Sequence, residues 1–265
     1  MFAWLRKWLR RRALHESHVA PEQWQRVEAQ MPFLAFLDAN ERRRLRLLAL
    51  QFLGEKALHG TREMTLGADD HLAIALQACL PILNLGLDYY RGWVEVIVYP
   101  GEFVVPRSIV DEDGIVHEYD DVISGEAWEG GPVVLSWPQE GDAEAGINVV
   151  IHEFVHKLDM LNGIPSGQPP LHSGMSHADW ARDFSAAYED FVTRLDAAEE
   201  TPLDPYAGEH PAEFFAVASE AFFVDPLRLF AAYPAVYRQL ALFYRQEPIK
   251  QDPVKQDLLK PDAAE

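Results

Sequence analysis

One stretch limits what this chain can become: Val149-Val150-Ile151-His152-Glu153-Phe154-Val155-His156-Lys157-Leu158-Asp159. His152 and His156 stand one helical turn apart, so on an α-helix both imidazoles leave the same face and can grip one metal ion. Glu153 lies about 100° round the helix, where its carboxylate can reach a water held by that ion. The plain alternative is a buried helix whose histidines are satisfied by ordinary hydrogen bonds. Val149, Val150, Ile151, Phe154, Val155 and Leu158 argue against it, because such neighbours cannot satisfy three polar side chains. Two imidazoles leave a zinc ion short of a protein ligand, so a third must come from elsewhere in the chain. The stretch reads as the centre of a zinc-dependent peptidase holding one Zn2+ per chain.

The rest of the composition sets bounds on that reading. A chain of 265 residues with 48% apolar content and seven tryptophans can bury a large core. Its single cysteine, Cys79, lies in an apolar run, reads as a packed thiol and excludes an internal disulfide. No apolar run reaches the roughly 18–20 residues that span a bilayer, and no signal-peptide pattern is visible, so a cytoplasmic protein is expected. The net charge is −19, although Arg6, Lys7, Arg10, Arg11 and Arg12 cluster at the N-terminus. Such an acidic body repels phosphates over most of its surface, which disfavours nucleic-acid binding.

Taken in order, residues 1–20 form a basic amphipathic segment. Met1, Phe2, Trp4, Leu5, Trp8 and Leu9 would gather opposite the cations of a helix lying on the body or on an anionic surface. Residues 21–56 read as helical with a break at Pro32, Asp38 and Glu41 forming a capping-box-like start. Another helix is expected over 68–80. Composition then shifts to β-branched and aromatic residues at 93–99, 102–106, 116–119, 122–128 and 133–137, with Asp113-Gly114 and Gly130-Gly131 as turns. These predict a small, mostly antiparallel sheet before the metal helix, which is expected over 141–162. A loop over 163–177 and helices over 177–199, 210–223, 227–232 and 235–244 follow, and residues 248–265 read as a loose tail. The expected fold is α+β and mainly helical, with one peptidase domain over 21–247.

The third ligand is not a histidine six residues after His156, because that position is Asn162. A carboxylate from a second helix remains. Glu213 and Glu220 lie seven residues apart in an otherwise apolar helix and share one face. Glu213 could bind the metal or merely complement the helix dipole. Glu220 could hold a ligand imidazole or a backbone group, or form a buried salt bridge. Asp159 shares the histidines' side and is given a supporting role.

His152-Glu-Phe-Val-His156-Lys-Leu-Asp159 and Tyr206-Ala-Gly-Glu-His-Pro-Ala-Glu213-Phe-Phe-Ala216, with Gly125-Glu-Ala-Trp128 and Pro132-Val-Val-Leu-Ser-Trp137, resemble the Mlc titration factor A family of bacterial peptidases. The likeness extends in order and spacing over most of residues 20–245. That family is similar at its active site to the peptidase domain of anthrax lethal factor, which shares the tyrosine seven residues before the glutamate ligand. The resemblance implies a zincin-like fold, with zinc on His152, His156 and Glu213, Glu153 as acid/base and Tyr206 facing the metal. It further implies a cytosolic protein with aminopeptidase-type activity on short peptide substrates and binding to the glucose-pathway repressor Mlc. A peptide could add as an extra strand to a sheet edge formed by residues 133–137. The competing reading is a regulatory protein that sequesters a transcription repressor, with zinc serving structure only. A base beside the metal argues for catalysis, since a structural site has no use for one.

Overall fold

The computed structural model describes residues 19–61, 64–110, 116–137 and 148–249. The basic N-terminal segment, the Asp113-Gly114 turn, the start expected for the metal helix at 141–147 and nearly all of the tail lie outside these residues. Helix α1 (Pro21–Glu28) and a 3₁₀ turn (Pro32–Phe36) lead into α2 (Ala39–Glu55). The capping box at Asp38 and Glu41 is formed: Asp38 accepts from the Glu41 N–H at 2.8 Å, and Glu41 accepts from the Asp38 N–H at 3.0 Å. Strand β1 (Ala57–Gly60), helix α3 (Ala68–Cys79) and strand β2 (Glu95–Tyr99) follow, α3 making the crossover that a parallel β1–β2 pair needs. Cys79 is fully buried, as a packed thiol should be.

Among the described residues, strands β3 (Phe103–Val110) and β4 (Val116–Ile123) pair only with each other, as an antiparallel arm. Next come β5 (Gly125–Ala127) and β6 (Val133–Ser136). The main sheet runs in the order β1-β2-β6-β5, with β1–β2 and β2–β6 parallel and only β5–β6 antiparallel. The chain is mainly helical α+β, as expected, but the four-stranded sheet is mixed. The antiparallel expectation missed β1, a four-residue strand with a terminal glycine and too little alternation to announce itself. The segment 122–128, read as one strand, breaks at Ser124 and passes from the arm into the sheet. Nor is 133–137 a sheet edge. β6 lies between β2 and β5, and among the described residues the terminal strand is β5.

The metal-motif helix, α4 (Val149–Asp159), lies between that end of the sheet and α6 (Pro211–Val224), and all its residues from Val150 onward are buried. Phe154 locks its rear face, with ring centroids 5.5 Å from Phe52, 5.2 Å from Tyr90 and 5.8 Å from Trp93. Each such aromatic contact contributes about 0.5–1.5 kcal/mol beyond its buried area. Helix α6 is fixed by a second ring cluster on α5 (His177–Asp196) and α8 (Pro234–Tyr244), where Phe215 meets Trp180 at 5.8 Å and Phe243 at 6.3 Å. The short α7 (Pro226–Ala232) joins α6 to α8. Two independently anchored helices therefore face each other with His152, His156, Glu213 and Glu220 between them.

Candidate metal centre

Helix α4 begins at Asn148, whose side chain accepts from the Ile151 N–H at 2.9 Å and satisfies one of the donors a helix start leaves open. Four residues on, the imidazoles of His152 and His156 project toward α6, with their Nε2 atoms 3.1 Å apart. Helix α6 begins with Pro211 at its first position and Glu213 in its first turn, where the helix dipole favours a carboxylate. Glu213 Oε2 lies 3.0 Å from His152 Nε2 and 3.1 Å from His156 Nε2. The three donor atoms thus form a nearly equilateral triangle. A tetrahedral zinc with ligands at about 2.0–2.1 Å would set such atoms about 3.3–3.4 Å apart. Two imidazoles and a carboxylate at these separations fit one divalent cation, and among the described residues this is the one such His/Cys/Asp/Glu group.

Glu220, two turns beyond Glu213, holds both groups suggested for it. Its Oε1 lies 2.6 Å from His152 Nδ1, and its Oε2 accepts from the Asn148 N–H at 2.7 Å. A carboxylate offers only acceptors, so Glu220 keeps a proton on His152 Nδ1, and with a metal bound Nε2 is the ring nitrogen left to coordinate. Asn148 Nδ2 in turn donates to Gln77 Oε1 at 2.8 Å, tying the start of α4 to α3.

Glu153 faces the sheet, where Gly125 makes room for it: a Cβ at that position would fall 2.6 Å from Glu153 Cγ and 2.7 Å from Cδ. Its Oε2 is buried and has no hydrogen-bond partner among the described residues, as suits a carboxylate that waits for a water. Burial pushes the Glu153 carboxyl up, His152 and His156 pull it back, and the balance lies at about 7. Burial also opposes charge on Glu213, but hydrogen bonds from the two histidines outweigh it and hold this carboxyl well below the ordinary range. For His152 burial favours the neutral ring, yet its bonds to Glu213 and Glu220 raise the pKa well above the usual value. The three acids and two imidazoles form a negative pocket that a cation would neutralise.

Tyr206 sits in a 3₁₀ turn (Pro205–Gly208) in which Asp204 accepts from the Tyr206 N–H at 2.8 Å. Its ring centroid is 5.9 Å from that of His152, and the residue is 50% exposed. Asp159 supports the site at one remove. Its carboxylate accepts from the N–H groups of Ser166 and Gly167 at 2.7 Å and of Gln168 at 2.9 Å, folding the loop after α4 back on itself. Gly167 there has φ +75°, and a Cβ would lie 2.7 Å from Pro211 O, so the loop abuts the helix start that carries Glu213.

The structure thus gathers His152, His156, Glu213, Glu153 and Tyr206 into one place. Reading residues alone missed Gly125, Lys157 and Gln77, which carry no spacing signal. Asn148, which falls inside the helix expected over 141–162, is instead the cap at which α4 begins.

A family model described as "Glucose-regulated metallo-peptidase M90" matches residues 5–245. The chain belongs to that family. It is 38% identical over 254 residues to Mlc titration factor A of Klebsiella pneumoniae (strain 342), covering 94% of each chain. The same-named protein of Serratia proteamaculans (strain 568) is 40% identical over 232 residues, covering 86% of this chain and 88% of its own. That of Cronobacter sakazakii (strain ATCC BAA-894) is 37% identical over 242 residues, covering 90% and 91%. The M90 chain is therefore a metallopeptidase by family. Among its described residues, no helix is long and apolar enough to cross a membrane.

Proposed function

We propose that this M90 chain is a zinc-dependent peptidase of aminopeptidase type, acting on short peptides in the cytoplasm. The observation that carries the proposal is the triangle of His152, His156 and Glu213 donor atoms with the unsatisfied Glu153 oxygen beside it. Zinc held by those three residues would supply a Lewis acid and lower the pKa of a water toward about 7. Glu153, with a pKa near neutrality, takes the proton from the attacking water and returns it to the leaving amine. On this reading the Tyr206 hydroxyl, carried on a ring 5.9 Å from that of His152, has the role of donor to the carbonyl oxygen as its charge grows; comparable donors contribute about 2.7–4 kcal/mol.

The peptide is proposed to lie along β5 and not along β6. Ser136 N–H donates to Ser124 O at 2.6 Å, and Trp128 N–H donates to Pro132 O at 3.1 Å. By the alternation of an antiparallel pair, Ser124, Glu126 and Trp128 direct their backbone groups to β6, while Gly125 and Ala127 direct theirs outward. Gly125 lies against Glu153, so an added strand would bring a scissile bond past the base. Aminopeptidase specificity is carried over from the family resemblance.

Replacing Glu153 with Gln tests the reading. Turnover of amino-acid anilides and short peptides should vanish while zinc stoichiometry stays at one per chain. Retained turnover would refute it. The name of the relatives supports a second role, binding of Mlc, which the same variant separates from catalysis: Mlc capture should survive in Glu153→Gln. If the wild type captures Mlc and cleaves no peptide, the binding role is the function and the metal serves structure.

A further inference from the structure

The face of α4 that carries Glu153 has a second polar group one turn on, Lys157, and nothing in the catalytic scheme uses it. Lys157 is almost wholly buried, an expensive place for an ammonium unless its donors are taken. Its Nζ donates to the carbonyl of Trp128 and, at 2.9 Å, to that of Gly131. Those two carbonyls bracket the tight turn between β5 and β6, where the Gly131 N–H also donates to Trp128 O at 3.0 Å and Gly130 takes φ +63°. The ammonium also lies 5.0 Å from the centre of the Trp93 ring, and Lys56 Nζ is 3.6 Å from the same centre. The strand that starts at Gly125 against Glu153 is thus fastened at its far end to the same helix, one turn further along.

We infer that Lys157 is a positioning residue for extended substrates: it fixes β5 relative to the metal helix, so that the outward groups of Gly125 and Ala127 stand at the height where a peptide backbone meets Glu153. This deepens the peptidase reading and rests on it. The ammonium touches no reacting atom. It acts through the strand, and its loss should weaken binding of peptides long enough to pair with β5 much more than the chemical step.

The test uses the full zinc-loaded chain and Lys157→Met, which keeps the stem and removes the donors. With hexa-alanine the KM should rise about tenfold while kcat stays within about twofold, and with alanine p-nitroanilide, which cannot span the strand, the KM should rise less than about twofold. Lys157→Arg, which keeps a charged donor, should recover part of the hexa-alanine KM. Independently of activity, amide exchange at Glu126 and Trp128 should quicken about tenfold in Lys157→Met. Equal KM changes for both substrates, a loss confined to kcat, or unchanged exchange would overturn the inference. If Lys157→Met does not fold, Gly130→Val strains the same exposed turn, and the same split or its absence decides. Should the wild type cleave neither substrate, the peptidase reading fails while exchange still judges the role of Lys157.

Discussion

Replacing Glu220 with Gln changes one atom of a side chain that is 5% exposed, and the network around it leaves the amide no good orientation. Two donors on α4 converge on the carboxylate: His152 Nδ1 at 2.6 Å and the Asn148 N–H at 2.7 Å. An amide has a single acceptor oxygen and brings a donor of its own. If that oxygen keeps the His152 proton, the NH2 group confronts the Asn148 N–H and a buried donor loses its partner. The cost is about 1–3 kcal/mol, and about 2 kcal/mol lowers the Tm of a chain this size by about 4–8 °C. If the amide turns over, its NH2 donates to Nδ1 and the imidazole proton moves to Nε2. That atom is 3.0 Å from Glu213 Oε2 and is the one a metal requires. Losing an outer partner of this kind costs about 10–100-fold in metal affinity, or about 1.4–2.7 kcal/mol. The two orientations divide the damage between stability and metal binding, but neither avoids it. Competition against a chromophoric chelator, with melting curves of apo and zinc-loaded protein, measures both. If zinc affinity stays within about twofold of wild type and Tm within about 1 °C, Glu220 does not set the tautomer of His152.

Three further outcomes follow from particular contacts. Gly125→Ala places a methyl 2.6 Å from Glu153 Cγ and must displace the base, so kcat should fall about 100-fold with zinc content unchanged in a metal assay. Gly167→Ala combines a positive φ of +75° with a clash on Pro211 O; the conformational cost alone is about 1–2 kcal/mol, read as a lower Tm and a weaker zinc complex because the start of α6 shifts. Removing zinc with a chelator should lower Tm, and zinc at 100-fold its Kd should restore about 2.7 kcal/mol, because the ligands come together only in the folded chain; a Tm indifferent to zinc would show that the triangle does not hold the metal.

What could be read without coordinates follows from local physics. The spacing of His152 and His156 is a property of helix pitch, and the capping box at Asp38 and Glu41 is complete within four residues. Glu213 and Glu220 stood out because acids in an apolar helix need partners, while the residues alone left open what each would hold and the family resemblance pointed to Glu213 as the ligand. The strand order, by contrast, depends on which segments meet across the fold. β1 has almost no pattern of its own and pairs with β2 only because α3 carries the chain back alongside it. β6 loses its edge because β5, cut off from β4 at Ser124, pairs beside it. Gly125 matters through a Glu153 side chain that lies 28 positions away in the chain, and Lys157 through two carbonyls of a turn that precedes it. Residue types and their periods determine which groups are available for chemistry. Close packing between segments distant in sequence determines which of them touch, and a one-dimensional pattern carries no record of that contact.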